Sequence, residues 1–335
     1  MITVEVPLPG ERSYPVLVGS GAVESLRDLL PEHARRVAVI TQASVPVEVD
    51  TGREQRVLTI GDGEQHKTMA TVERLCEELS EWGLTRADCL VGVGGGLVTD
   101  VAGFAAAVYH RGVPVVHVAT TLLGQIDAAI GGKTGVNLPQ GKNLVGAYWQ
   151  PSAVICDTAT LRTLPERERR CGLGELAKYH WLGGGRLDEL ELDERVAACV
   201  RIKAEVVASD EREAGRRALL NYGHTLAHAI EIAGGHDLRH GEAVAIGLVY
   251  AAELAHALGR IDDAAVAEHR RVVSGYDLPT TLPAHLEDDE LMTLMGRDKK
   301  VLDDGLTFVL DGPSGVEVVT GVDPDVVRAT LGAVR

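Results

Sequence analysis

The 335-residue chain has five cysteines, Cys76, Cys89, Cys156, Cys171 and Cys199, and no Cys-x-x-Cys pair among them. An odd count without paired spacing argues against a disulfide framework or a cysteine zinc site and points to a reducing compartment. No uncharged apolar run approaches the roughly 20 residues of a membrane span. The nearest candidate, 113–132, carries His117 and Asp127. Residues 1–10 lack the basic-then-apolar pattern of a signal peptide. A soluble, cytoplasmic protein is expected. Cations are scarce, with 33 Lys plus Arg against 49 Asp plus Glu and a formal net charge of −16. Such a body repels nucleic acid and anionic membranes, and neither is expected as a partner. Internal repeats and low-complexity linkers are also absent.

What remains is ordinary globular composition, 45% hydrophobic and 24% charged. At about 150 residues per domain the length suggests two domains. The first half alternates β-branched runs with helical spacing. Strands are expected at 36–41, 55–60, 89–93 and 113–119, and helices at 71–82 and 97–109. That alternation predicts a parallel sheet covered by helices. Beyond Pro165 strands become scarce. Helices are expected at 195–209, 218–233, 242–258, 262–274 and 288–295, then a hairpin at 306–319 and a last helix at 323–334. The α/β pattern ends near Thr163-Leu-Pro165, so the expected domains are 1–164 and 165–335.

Four constellations could carry chemistry. Val91-Gly-Val-Gly-Gly-Gly96 follows a strand and opens a helix, where glycines admit a phosphate to free N–H groups. The dinucleotide fingerprint needs glycine at position 97, which is Leu97, so this is a phosphate loop of another kind or a tight turn without ligand. Gly61-Asp-Gly-Glu64-Gln-His-Lys67 is a charged loop, weak alone. Asp127 through Gly131-Gly-Lys133-Thr-Gly-Val-Asn137, then Gly141-Lys142-Asn143, places donors among glycines, as for an anion. A P-loop reading fails because Asp127 stands where its first glycine belongs. Finally, His224 and His228 lie four apart on one helix face, with His240-Gly-Glu242 downstream and Glu175 between glycines upstream. One carboxylate and two or three of these histidines make a zinc-type set with an open position; a structural histidine pair is the alternative. His33, His256, His269 and His285 are read as surface residues.

Taken in order, these motifs resemble those of the 3-dehydroquinate synthase family. The residues that carry the resemblance are Gly94-Gly-Gly-Leu-Val-Thr-Asp100, Tyr109-His-Arg111-Gly, Ala119-Thr-Thr-Leu-Leu123 and Gly131-Gly-Lys-Thr-Gly-Val-Asn137. In the second half they are Gly174-Glu-Leu-Ala-Lys178, Asn221-Tyr-Gly-His224, His228-Ala-Ile-Glu231, His240-Gly-Glu and Asp298-Lys-Lys300. The resemblance runs from about residue 61 to 319, and its combined order and spacing are specific where no single motif is.

It implies a Rossmann-like α/β domain that binds NAD and a mostly α-helical domain that binds Zn²⁺ or Co²⁺, with an anionic sugar-acid phosphate held in the cleft between them. The metal ligands it implies are Glu175, His224 and His240, with His228 as a nearby acid/base group. Glu64, Lys67, Gly94, Gly95, Gly96, Asp100, Thr120, Thr121 and Asn143 would face NAD, and Lys133 and Lys142 would sit by the cofactor–substrate junction. Asp127, Lys178, Lys203, Arg217, Asn221 and Lys299, from the Lys299-Lys300 pair, would surround the substrate. Arg111 would reach the phosphate held by a neighbouring subunit, which implies a homodimer. The implied reaction converts 3-deoxy-D-arabino-heptulosonate 7-phosphate to 3-dehydroquinate. It runs by transient oxidation at C5, β-elimination of phosphate, reduction, ring opening and aldol closure, and NAD is regenerated each turn.

Departures from the family pattern touch the cofactor side. Gln42 stands where the strand usually ends in an aspartate that holds the adenosine ribose, and the segments 45–58 and 182–191 are short. Competing readings are another sugar phosphate cyclase (for an amino analogue or another heptulose phosphate), an iron-type alcohol or glycerol dehydrogenase, and an inactive homologue. The net charge does not oppose an anionic substrate. Between residues 101 and 150 the cations Arg111, Lys133 and Lys142 face one acid, Asp127.

Overall fold

The computed structural model describes residues 1–10, 12–235, 237–298 and 306–335. Its strands are β1 (Ile2–Val6), β2 (Tyr14–Val18), β3 (Arg36–Gln42), β4 (Glu54–Ile60), β5 (Cys89–Gly94), β6 (Val115–Ala119), β7 (Lys133–Leu138), β8 (Gly141–Tyr148), β9 (Ala153–Cys156), β10 (Leu306–Leu310) and β11 (Glu317–Val322). Its α-helices are α1 (Leu26–Leu29), α2 (Met69–Trp82), α3 (Gly96–Val108), α4 (Glu166–Tyr179), α5 (Leu192–Ser209), α6 (His224–Ala233), α7 (His240–Ala257), α8 (Asp263–Gly275), α9 (Asp288–Asp298) and α10 (Pro324–Leu331). Two compact units result, one of Met1–Pro165 with Leu190–Arg212, the other of Glu166–Glu189 with Glu213–Arg335. The chain thus changes unit close to the expected boundary, but α5 belongs to the first unit and not, as expected, to the second. Its buried face explains this. Val196, Val200 and Val207 are fully buried, and α5 packs on β1 and β2, two strands outside the expected set.

The first unit is built on a seven-stranded sheet in the order β1-β2-β9-β6-β5-β3-β4. All neighbouring pairs are parallel except β1 and β2. Alternation along β3 supplies both faces of the core. Val37 and Val39 join Val91, Val93, Val116 and Val118 on one side, while Ala38 and Ile40 join Leu75, Val98 and Val101 on the other. Helix α2 starts at Thr68, whose hydroxyl accepts from the Thr71 N–H, and stops at Gly83 in the left-handed conformation (φ 72°). The short segment between β3 and β4 contains no helix; Val45, Val47 and Val49 pack on the sheet instead. β7 and β8 form a separate antiparallel hairpin, hidden from sequence periodicity by its glycines and lysines.

The second unit is mostly helical and centred on α7, which is apolar on nearly every side and packs against α4, α6, α8 and α10. The helix expected over 218–233 is broken. A 3₁₀ turn covers Arg216–Asn221, Gly223 takes a left-handed conformation (φ 80°), and only then does α6 begin at His224. His269, expected on the surface, is fully buried: it stacks on Trp181 at 3.8 Å and lies 2.7 Å from the Tyr222 hydroxyl. His33, His256 and His285 are exposed, as expected. Among the described residues no helix is long and apolar enough to cross a membrane.

Candidate active site

In the first unit the chain runs from β3 out to β4 and returns on the other side of β3 as β5. The crevice at the carboxyl ends of β3 and β5 is therefore a topological switch point, where open α/β sheets receive ligands. The Gly94–Gly96 turn sits there. Gly95 caps α3 with no side-chain hydrogen bond, so the first-turn N–H groups of α3 have no side-chain acceptor at the cap. Packing also demands these glycines. A Cβ on Gly94 would overlap Val98, and one on Gly95 would come within 2.8 Å of Thr121. The Thr120 N–H donates to the Gly94 carbonyl (2.9 Å), and the Thr121 hydroxyl accepts from the Gly124 N–H (3.0 Å).

Beside this turn, residues from three segments converge. Lys67 Nζ lies 2.5 Å from the Asp100 carboxylate, 2.5 Å from Asn143 Oδ1 and 4.0 Å from Glu64. Asn137 ties the group together. Its side chain donates to Glu64 (2.7 Å) and accepts from the Asn143 N–H (2.9 Å), and its own N–H donates to the Lys67 carbonyl (2.8 Å). Burial pushes the Asp100 carboxyl up to about 6 despite the opposing pull of Lys67. Gln42 does not stand alone either, since its amide donates to the Gly61 carbonyl (3.0 Å).

Lys203 reaches across the same unit to Asp127, with Nζ 2.5 Å from both a carboxylate oxygen and the backbone carbonyl. Lys133 and Lys142, expected together, are held at opposite ends of the hairpin: Lys133 pairs with Tyr148 in register, whereas Lys142 adjoins the Leu138–Gly141 end and the Asn143 cluster. Arg111 is exposed in a turn whose residues His110 (φ 51°), Arg111 (φ 63°) and Gly112 (φ 129°) are all left-handed. Two non-glycine residues in that region carry strain. Gly112 cannot be anything larger there, because a Cβ would overlap the Trp149 ring.

In the second unit Glu175, His224 and His240 place one ligand atom each within 4.8 Å of one another. Each residue adjoins a glycine at a close helix contact. A Cβ on Gly174 would overlap the Gly241 carbonyl, one on Gly241 the Cys171 carbonyl, and one on Gly247 the Gly223 carbonyl. Glycine therefore lets the backbones around α4, α6 and α7 approach closely enough for short side chains to meet. Glu175 Oε1 lies 3.1 Å from His224 Nε2 and 2.9 Å from His240 Nε2. The far nitrogen of each ring is already engaged, His224 Nδ1 with the Tyr222 carbonyl (3.0 Å) and His240 Nδ1 with Glu231 Oε2 (3.0 Å). Both Nε2 atoms thus face inward, as metal-binding imidazoles do. Glu175 is fully buried, and its Oε2 makes no hydrogen bond, although Lys178 Nζ stands 2.5 Å away as an ion pair. Burial would raise the Glu175 carboxyl, but Lys178 and His224 hold it well below the usual range. Burial likewise pushes His224 down, with Glu175 opposing it. Burial would also lower His240, but hydrogen bonds to Glu175 and Glu231 raise it to about 10. A buried carboxylate and two imidazoles whose Nε2 atoms face it fit a divalent zinc-type ion with room for further ligands.

The ring of His228 lies 5.5 Å from that of His224 and 6.3 Å from that of His240, beside the triad and outside the ligand set. Arg217 is buried near the start of the 3₁₀ turn that ends at Asn221, whose amide donates to Glu213 at 3.4 Å. Lys299 lies outside the described residues. Sequence reasoning gave no role to Asn137 or Glu231. The signal for Glu231 was its spacing of seven from His224, which returns it to the same helix face.

Known proteins are similar to this chain along most of its length. Sequence models of the 3-dehydroquinate synthase N-terminal and C-terminal domains match residues 57–171 and 172–301. An Amycolatopsis mediterranei protein named "Putative aminodehydroquinate synthase" is 54% identical over 330 positions, covering 98% of this chain and 93% of its own. A 3-dehydroquinate synthase of Nitrobacter winogradskyi is 44% identical and covers the same 98% of this chain and 95% of its own, but needs 365 positions to do so. Among solved structures, 2-deoxy-scyllo-inosose synthase complexed with carbaglucose-6-phosphate, NAD⁺ and Co²⁺ has a TM-score of 0.88 at 27% identity, covering 98% of this chain and 99% of its own. ValA, the 2-epi-5-epi-valiolone synthase of Streptomyces hygroscopicus with NAD⁺ and Zn²⁺ bound, has a TM-score of 0.82 at 28% identity, with 98% of both chains covered. With both of its halves matched and relatives of this identity along nearly its full length, the chain belongs to the 3-dehydroquinate synthase family.

Proposed function

We propose that the protein is a 3-dehydroquinate synthase, a carbon–oxygen lyase that converts 3-deoxy-D-arabino-heptulosonate 7-phosphate to 3-dehydroquinate and phosphate. The observation that carries this is the Glu175–His224–His240 cluster in a chain that matches both halves of the family. On this reading the first unit binds NAD through the Gly94–Gly96 turn, Thr120, Thr121 and the Glu64, Lys67, Asp100 and Asn143 cluster. The second unit holds Zn²⁺ or Co²⁺. When bound, these groups supply reversible hydride transfer and polarisation of the substrate oxygens.

The protein's own side chains do the rest. Arg217 and Lys178 in the second unit and Lys203 in the first are buried cations suited to bind anionic groups of the substrate, and such positioning is a large part of catalysis in a multistep reaction. Asp127 orients Lys203. His228 is placed to move a proton close to the ligand histidines without occupying a ligand position. We assign Lys133, Lys142, Asn221 and Lys299 to substrate or cofactor binding. Arg111, projected by its left-handed turn, serves a partner subunit in a homodimer. We assign the enzyme to the cytoplasm and to the shikimate route to aromatic amino acids.

The test is turnover of the heptulosonate phosphate with Zn²⁺ and catalytic NAD⁺. Phosphate release equal to dehydroquinate formed, with no net NADH, is expected. Stoichiometric NADH would indicate a dehydrogenase, and turnover of sedoheptulose 7-phosphate alone would overturn the substrate assignment. One observation favours a second reading, an amino analogue of the same substrate. The match to the Amycolatopsis protein runs nearly without gaps, whereas the 3-dehydroquinate synthase match spreads the same residues over a longer alignment. A higher kcat/KM for the amino analogue than for the heptulosonate phosphate would establish it.

A further inference from the structure

Resting on the metal reading above, the three ligands are not held alike. Glu175 and His224 are almost fully buried in side chain, whereas the His240 ring is 31% exposed. His224 is oriented by a backbone carbonyl only two residues away, which local geometry fixes. His240 is the first residue of α7, and the partner found for its Nδ1 is a side chain on another helix, Glu231 of α6. The spacing of His224, His228 and Glu231, four and then three residues, sets all three on one face of α6. One helix therefore delivers a ligand and the group that aims another ligand.

Charge adds a second argument. His224 and His240 both open helices, so two positive helix ends, each worth about half a unit charge, point toward the cluster. Lys178 adds a full positive charge. Glu242 caps the α7 end by accepting from the Arg239 N–H. Glu175 is the one carboxylate among the three candidate ligands, and Glu231 adds a second behind His240, where it favours a dication.

We infer that Glu231 is a positioning residue for the metal centre: its carboxylate accepts the Nδ1–H hydrogen bond of His240, turns the Nε2 lone pair inward and adds a negative charge behind that ligand. Carboxylates behind metal-bound histidines commonly act this way, and removing them weakens metal binding about 10- to 100-fold.

The experiment measures Zn²⁺ affinity by competition with a chromophoric chelator, and the visible spectrum of the Co²⁺ form, for the intact protein and for Glu231→Gln and Glu231→Ala. Glu231→Gln, which keeps an acceptor but loses the charge, should bind Zn²⁺ about tenfold more weakly, and Glu231→Ala about 100-fold. The Co²⁺ bands should shift in both, while NAD⁺ affinity and the melting point of the metal-free protein stay at wild-type values. Wild-type Zn²⁺ affinity with an unchanged Co²⁺ spectrum in both variants would overturn the inference. So would a metal-free Glu231→Gln protein that fails to fold, because the role would then be structural. If the unaltered protein takes up no Zn²⁺, the metal reading itself falls, and the inference with it.

Discussion

Asp100 and His117 sit in the same unit and are perturbed by the same cause in opposite chemical senses. Burial raises the Asp100 carboxyl to about 6 and lowers the His117 imidazole, whose Nδ1 makes no hydrogen bond, to about 4. Below about pH 6 folded Asp100 holds a proton that the unfolded chain releases down to its ordinary carboxylate range, so this group favours folding as pH falls. His117 does the reverse: the unfolded chain binds a proton below its ordinary pKa near 6.5 while the folded one stays neutral down to about 4. Between about pH 6 and pH 4 the two slopes offset one another. Asp100→Asn leaves His117 unopposed, so stability should fall more steeply across that window than in the wild type. Urea midpoints of the metal- and NAD-free protein against pH check this; parallel curves would refute it. At this scale the sequence was legible wherever motif spacing signalled chemistry. Glu175, His224 and His240 meet as their motifs implied, and Glu64, Lys67, Asp100 and Asn143 converge on one cluster. It was illegible where a role depends on a partner distant in sequence. His269 shows no pattern that distinguishes a core histidine stacked on Trp181 from a solvated one.

The metal-type cluster depends on glycines more than on the lengths of its side chains. Gly174, Gly223 and Gly241 each adjoin a candidate ligand at a backbone–backbone contact. Gly241→Ala would drive a methyl group into the Cys171 carbonyl, which cannot retreat without moving α4 away from α7. Zn²⁺ affinity in Gly241→Ala should fall by at least tenfold, and the melting point should drop, since overpacking of this kind costs about 1–3 kcal/mol. Gly332→Ala, with nothing within 4 Å of its added methyl, is the control and should leave both unchanged or slightly raise stability. A Gly241→Ala protein with wild-type metal affinity would show that the helix spacing is not critical. Periodicity revealed the long helices and the buried parallel strands, because each has one dominant repeat. It missed β1 and β2, whose neighbourhood is interrupted by Pro7, Pro9 and Pro15, and it ran the helix of 218–233 straight through Gly223, where a left-handed residue ends one turn and caps the next.

At the scale of the molecule the surplus of acid and the anionic substrate are compatible, because the net charge is a sum over the whole chain and does not describe the buried positions that carry cations, Lys178, Lys203 and Arg217. Two ligands bound by two units should stabilise separately. At 100 times its Kd a ligand adds about 2.7 kcal/mol to the unit that binds it. Zn²⁺ and NAD⁺ should each raise the melting temperature, EDTA should reverse only the first effect, and His240→Ala should abolish the Zn²⁺ response while keeping that to NAD⁺. Loss of both responses in His240→Ala would contradict this division. The two-unit count was readable from length, but the assignment of α5 was not, since a helical pattern says nothing about the sheet on which it lies. That assignment has a consequence for synthesis. The polypeptide leaves the first unit at Pro165, returns at Leu190 and leaves again after Arg212. On the ribosome the parallel sheet must therefore wait, with the surface of β1 and β2 uncovered, until almost two thirds of the chain has emerged, and the Lys203–Asp127 ion pair closes only then.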